Sequence, residues 1–345
     1  MHKNKIIIRI IRWTILIFLI LFLYKLFWPR QYNIAYSKKG IHSSFWQLPT
    51  GSTIGYTYLS SSSKEKHPFP IIYLHGGPGG AISNRVIDDL KPLSNNGFDL
   101  YFYDQVGSGA SSRLSDISEY TVQRHIDDLN EIITKINSKK VILIGQSWGS
   151  VLAAAFLSKH PERIDKIIFT SPGPIYPINF DKINKPAPDS FKLRAPLYTN
   201  KAANESSTNI RIKAITYFAT RFAKKLATDK EVDEYANFLD AKASKSVLCD
   251  TSINLANRGT CGFYASIMTY KSILELKDFR EKINGTNMPV LIMKGQCDNQ
   301  PWGATNEYLS LFPKHKFVLV PNAGHFINIE QPEIFIREIN NFLLQ

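Results

Sequence analysis

Gly145-Gln146-Ser147-Trp148-Gly149 stands directly after the apolar run 141–144 and directly before an alanine-rich stretch. A G-x-S-x-G pentapeptide between a strand and a helix turns the chain sharply and pushes the serine outward, and its glycines let neighbouring backbone come close. The chemistry this suits is nucleophilic: a serine hydroxyl attacks an acyl carbon once a base takes its proton, and a carboxylate must orient that base. His325, in Asn322-Ala323-Gly324-His325, and Asp298, in Gly295-Gln296-Cys297-Asp298, each follow an apolar run further along the chain. Ser147, Asp298 and His325 are therefore the expected nucleophile, orienting acid and base. Singly, the pentapeptide is no more than a glycine-rich turn and each partner a surface polar group; together they make coincidence improbable.

Acyl transfer builds negative charge on the carbonyl oxygen, and backbone N–H groups aimed at it stabilise it. His75-Gly76-Gly77-Pro78-Gly79 follows another apolar run, and its glycines allow close approach to a substrate. Gly77 and Trp148 are the expected oxyanion-hole donors.

These residues need a scaffold that carries them to one edge. Short apolar runs at 52–58, 71–75, 100–104, 141–144, 167–170, 290–294 and 317–320 read as strands, and most are continuous rather than alternating, as in parallel sheets buried on both faces. Helical patterns at 122–136, from 151 onward and at 332–344 fall between or after them. The β, α alternation predicts an α/β fold with a doubly wound, mostly parallel sheet. Between 171 and 288 the rhythm breaks: six prolines punctuate the first part, and 209–226, 230–248 and 261–274 look helical. This is read as an inserted helical cap over the carboxyl edge of the sheet, where ligands bind in open α/β folds. The expected organisation is an anchor and linker at 1–40, hydrolase core at 41–172, cap at 173–288 and the rest of the core at 289–345.

The chain order serine, aspartate, histidine is that of α/β-hydrolases. With His75-Gly76-Gly77-Pro78-Gly79, the turn Asp104-Gln105-Val106-Gly107-Ser108-Gly109, the elbow Gly145 to Ser150 with Trp148 after the serine, and a helical cap, the sequence resembles the proline iminopeptidase branch of that superfamily. The resemblance covers roughly residues 45 to 345 and implies removal of an amino-terminal residue, often proline, from peptides, with cap acids holding the free amine. Two features depart from it. Val106 occupies the position of an arginine usual in the family's D-Q-R-G turn, and no tryptophan lies between Trp148 and Trp302 to form the family's W-x-x-W-E cap segment. The resemblance leaves Glu205, Glu231, Asp233 and Glu234 as candidate amine-binding acids, in a cap that is net basic.

The chain has 345 residues and a net charge of +13, of which +8 lies in the first forty residues and +6 in 173–288. A charge so placed is not the basic, aromatic-interleaved stripe of a nucleic-acid groove, and nucleic acid is not an expected partner. Residues 6–28 contain an uninterrupted apolar core from Trp13 to Tyr24. With Arg12 and Lys25 snorkelling, the stretch reaches roughly 35 Å, enough to cross a bilayer, with Trp13 and Trp28 near its interfaces. The alternatives are a cleaved signal peptide, whose only small-residue pair, Ala35 and Ser37, lies well past the apolar stretch, and a buried core helix. An uncleaved single-pass anchor is expected, with the catalytic domain on the non-cytoplasmic side. Basic residues flank both ends of the span, so the positive-inside rule adds little. Of three cysteines, Cys249 and Cys261 are expected to close one disulfide loop worth about 3 kcal/mol, with Cys297 alone, or else to be unrelated buried thiols.

The leading expectation is thus a membrane-anchored serine hydrolase of aminopeptidase type acting on small peptides or amides. The runner-up is an esterase or lipase acting on small or membrane-derived esters, and a third reading is a non-catalytic binding protein on the same fold. No cofactor, metal or obligate protein partner is expected.

Overall fold

The structure, a computed structural model, describes residues 2–32, 34, 44–255 and 260–345; Ala35 and Ser37 lie outside them. Eight strands form one sheet in the order β1-β2-β4-β3-β5-β6-β7-β8. They are β1 (Ser44–Gln47), β2 (Thr53–Leu59), β3 (Ile71–Leu74), β4 (Leu100–Tyr103), β5 (Val141–Gln146), β6 (Ile164–Thr170), β7 (Val290–Gly295) and β8 (His315–Val320). β4, β3, β5, β6, β7 and β8 pair in parallel, while β1 and β2 run antiparallel at one edge. The seven apolar runs are β2 to β8. β1, short and mostly exposed, was not anticipated: it forms a hairpin with β2 and stacks Trp46 on Tyr56 at 3.5 Å.

Both faces of the central parallel strands β3, β5 and β7 are buried, which is why they read as continuous apolar runs, while β8 at the edge is only partly buried. Ile72, Leu74, Leu143, Phe169 and Ile292 pack on one side with the helices Val122–Lys135 and Trp148–Leu157. Ile71, Tyr73, Ile144, Leu291 and Met293 pack on the other with Asn84–Leu90 and Pro332–Leu343. Successive side chains of a strand alternate faces, so each run feeds two cores.

Between β6 and β7 the chain leaves the sheet for three main helices, Ile210–Phe222, Asp229–Ala243 and Phe263–Leu274, shorter than the helical patterns in the sequence. Ala223, left-handed at φ 52°, ends the first, and the Thr228 hydroxyl accepts from Glu231 N to start the second. The amino-terminal helix, His2–Phe27, contains a stretch, Lys5–Phe27, long and apolar enough to cross a membrane, and none of its most apolar window is buried. A signal sequence would have the same length and composition. Its exit is fastened to the cap: Arg211 Nη1 donates to Leu26 O at 2.8 Å, Arg30 N donates to Glu231 Oε1 at 3.0 Å, and Tyr32 packs on Tyr235 and Phe238.

The cysteine pairing differs from expectation. The bridge joins Cys249 to Cys297, with Cα atoms 5.2 Å apart, and Cys261 takes no part in it. Short spacing suggested the other pair, but spatial adjacency decides. Cys297 sits on the loop after β7, and its amide donates to Ala323 O; His325, two residues further, donates its amide to Val247 O, just before Cys249. The two cysteines therefore lie on touching loops although 48 residues separate them. Non-reducing peptide mapping should recover a Cys249–Cys297 linked peptide, and Cys249→Ser should lose up to about 4 kcal/mol of stability, the chain-entropy value for so long a loop. A linked Cys249–Cys261 peptide would contradict the pairing.

Candidate active site

β5 ends at Gln146, and the helix Trp148–Leu157 begins two residues later. Ser147 makes the turn alone, with φ 55° and ψ −116°, a conformation that costs a non-glycine residue of order 1–3 kcal/mol. Packing holds it there. Any Cβ on Gly149 would collide with the Leu74 carbonyl at the end of β3, and one on Gly145 would meet the Gly149 carbonyl at 2.5 Å. The serine backbone is pinned on both sides, its N–H donating to Thr170 O at 3.1 Å and its carbonyl accepting from Gly173 N at 3.2 Å.

The loop after β3 and the turn after β4 are tied to this elbow by one residue, Gln105, through its side chain and its backbone N–H. Gln105 Nε2 donates to His75 O at 3.0 Å, Gln105 N donates to His75 Nε2 at 2.9 Å, and Trp148 Nε1 donates to Gln105 Oε1 at 2.8 Å. Because Nε2 of His75 accepts, its proton sits on Nδ1, which donates to Gly76 O. Asp104 Oδ1 and Oδ2 accept from the amides of Ile82 and Ala110. Val106 is buried and belongs to the apolar core. Gly77, at φ +132°, borders the cavity; Trp148 opens the elbow helix, so its amide belongs to the first-turn donors that have no intrahelical acceptor.

His325 Nδ1 lies 2.8 Å from Asp298 Oδ1, so Nδ1–H donates to the carboxylate, and in the neutral imidazole Nε2 then carries the lone pair. Gln300 N donates to the same oxygen at 3.1 Å. The other oxygen, Oδ2, accepts from Lys294 Nζ at 3.1 Å, and that ammonium also donates to Gln300 O at 2.8 Å. Burial alone would raise the Asp298 pKa, but Lys294, His325 and the Gln300 amide outweigh it and hold the carboxyl well below its usual range. Lys294 was not singled out from the sequence. The available signal was a lysine closing a fully buried strand, four residues before an aspartate. Glu330 is a second such residue: it accepts from Gly324 N, Cys249 N and Asp250 N, joining the histidine loop to the cap.

Ser147 and His325 border one cavity of about 520 Å³ between sheet edge and cap, together with Gly76, Gly77 and Gln300. The four candidate cap acids do not line it. Glu231 forms a buried pair with Arg211, Oε2 accepting from Nη2 at 2.6 Å. Asp233 pairs with Arg113 at 3.0 Å and accepts from Phe263 N at 2.9 Å; burial lifts its pKa to about 6 against those opposing partners. Glu205 is exposed beside Lys201, and Glu234 stays outside the lining. The carboxylate that does line the cavity, alone among the described residues, is Asp240.

A family model described as alpha/beta hydrolase fold matches residues 70–332. The chain belongs to the α/β-hydrolase family. This α/β hydrolase is 27% identical over 276 residues to a proline iminopeptidase of Heyndrickxia coagulans, across 79% of this chain and 90% of that protein. Among solved structures, an esterase from Exiguobacterium antarcticum shares the fold with a TM-score of 0.59 at 19% identity, over 88% of this chain and 99% of its own. A proline iminopeptidase from Mycobacterium smegmatis does so at 0.56 and 20%, over 88% and 98%. The hydrolase is thus proline iminopeptidase-like at low identity, on a fold shared with esterases.

Replacing Lys294 by Met keeps most of its volume and leaves Asp298 without a counter-charge. Breaking a buried pair costs about 3–5 kcal/mol, and a destabilisation of that order is expected at neutral pH. A depressed folded pKa stabilises the protein above the unfolded carboxyl range near about 3.9 and is lost as pH falls through the folded value. The substitution raises that folded value, so Lys294→Met should acid-unfold at higher pH than wild type by circular dichroism. Superimposable acid transitions would remove Lys294 from this role.

Proposed function

We propose that the protein is a membrane-anchored serine hydrolase in which Ser147 attacks, His325 takes and returns its proton, and Asp298 orients the imidazole. The observation that carries this reading is the 2.8 Å His325–Asp298 pair beside a strained Ser147 on one cavity. In the first step Oγ bonds to the substrate carbonyl carbon while His325 Nε2 receives the hydroxyl proton. The carbonyl π pair moves onto oxygen, facing the amides of Gly77 and Trp148. Collapse expels the amine or alcohol, which takes the proton from His325, and leaves an acyl-enzyme; water, activated by the same base, releases the acid. The anchor reading rests on the apolar helix Lys5–Phe27.

An aminopeptidase of the proline iminopeptidase type is the favoured activity, and Asp240 replaces the four sequence candidates as the amine-binding acid. An ammonium entering a partly desolvated cavity needs such a carboxylate. The esterase alternative draws on Tyr73, Val86, Leu239, Phe263 and Ile267, which make much of the lining apolar.

Ser147→Ala, His325→Ala and Asp298→Asn should each reduce turnover on the order of 10^4-fold or more, without additivity, and Ser147→Ala should abolish fluorophosphonate labelling. Near wild-type turnover by Ser147→Ala would refute the mechanism. For specificity, kcat/KM is compared between a proline anilide with a free amine and its acetylated form. A preference for the free amine that falls about 10- to 100-fold in Asp240→Asn, with short-chain ester cleavage spared, is expected. Equal rates on the two anilides would instead promote the esterase reading.

A further inference from the structure

The cap helix Ile210–Phe222 buries Arg211, Ile212, Ile215 and Ala219 and contains no acidic residue. Its exposed residues include three aromatics in mutual contact toward its carboxyl end: Tyr217 to Phe222 at 5.9 Å and Phe218 to Phe222 at 5.6 Å between ring centroids. Tyr217 is 58% and Phe222 51% exposed, an unusual cost in water for large clustered rings. Lys213, Arg221 and Lys224 are exposed on or just beyond the same helix. Exposed aromatics with bases beside them and no acid in the helix suit the boundary between anionic headgroups and acyl chains.

Position supports the same occupant. Arg211, in the first turn of this helix, holds the Leu26 carbonyl in the last turn of the amino-terminal helix. There Tyr24 stacks on Trp28 at 5.2 Å, both exposed, as rings at a membrane interface do. The cap helix therefore starts where the spanning helix would leave the hydrocarbon, and Tyr217 lies about 9 Å further along it. We propose that the Tyr217, Phe218 and Phe222 cluster seats the cap on the anionic surface of the same bilayer that holds the anchor. The proposal rests on the anchor reading and goes beyond it. Tethering makes even a weak surface affinity effective, because the bilayer is held within reach. The helix Asp229–Ala243 lies between the exit of the amino-terminal helix and the cavity: Tyr235 and Phe238 grip Tyr32, and Ala236, Leu239 and Asp240 line the cavity.

The test uses the full chain in phosphatidylcholine vesicles with or without phosphatidylglycerol. A polarity-sensitive fluorophore is placed at Tyr217→Cys or Phe222→Cys in a Cys261→Ser background. The control is Glu162→Cys, exposed just before β6 and so at the amino edge of the sheet, away from the cap. Emission at both cap positions should shift to the blue, and iodide should quench it several-fold less than at the control. Phosphatidylglycerol should strengthen both effects, and Arg221→Gln should weaken the seated state about fivefold. Phe222→Trp gives a readout without added cysteine: brominated phosphatidylcholine should quench it beyond the wild-type tryptophan background. Cap labels quenched as freely as the control, in protein that stays with the vesicles after alkaline carbonate, would overturn the seat and leave the anchor standing. Protein released by carbonate would overturn the anchor and the seat together.

Discussion

The approach of Gly149 to the Leu74 carbonyl is the constraint on which the rest of the site depends. It presses the start of the elbow helix against the end of β3, and only a residue without Cβ lets the two backbones come so close. Ser147 is left to turn the chain by itself at positive φ, an arrangement of order 1–3 kcal/mol uphill that the surrounding strands must over-determine. The same approach puts the glycine loop after β3 beside the elbow. Gln105 then joins that loop and Trp148 through three hydrogen bonds. A single close backbone contact thus fixes the serine, and one residue, Gln105, fixes the loop opposite it.

The histidine half of the site is held by charge and by the cap rather than by glycine. Asp298 lies between Lys294 on one oxygen and His325 on the other, so its charge is shared before any substrate arrives. An imidazolium formed at His325 would face a carboxylate already partly neutralised, and the stabilisation it receives is correspondingly moderated. The loop carrying His325 is also bound from above, through Val247 O, Glu330 and the Cys249–Cys297 bridge. The cap is therefore part of the frame of the proposed base, not only a cover over the cavity.

Much of this was legible in the sequence because buried parallel strands read as apolar runs, and the residues just past such runs are delivered to one edge. That logic singles out Ser147, Asp298 and His325 as candidates, and the structure brings them to one cavity or next to it. Lys294 escaped because it lies inside a run and its meaning depends on a partner four residues on. β1 escaped because a four-residue edge strand buries too little to leave a pattern. The disulfide was misread because sequence spacing measures loop length, not which loops touch. The cap acids were misjudged for a related reason: composition cannot say which carboxylates are already engaged, and Glu231 and Asp233 are held by Arg211 and Arg113.

That last point bears on how specificity can differ within one scaffold. Along the helix Asp229–Ala243, Glu231 and Asp233 are occupied in fastening the cap to the exit of the amino-terminal helix and to the core. Ala236, Leu239, Asp240 and Ala243 recur at spacings of three, one and three, so they form one helical stripe, and it is this stripe that faces the cavity. Its chemistry can change without touching the ion pairs on the other faces, since helical neighbours at these spacings share a side. In the proposed reading Asp240 would meet a cationic group of the substrate; an apolar residue there would leave a cavity suited to neutral acyl groups. The elbow, the glycine loop and the Asp298–His325 pair serve both cases equally. In the proposed reading the choice between amine-bearing and neutral substrates falls to the cavity lining, where this stripe is joined by Tyr73, Val86, Phe263 and Ile267 from other elements.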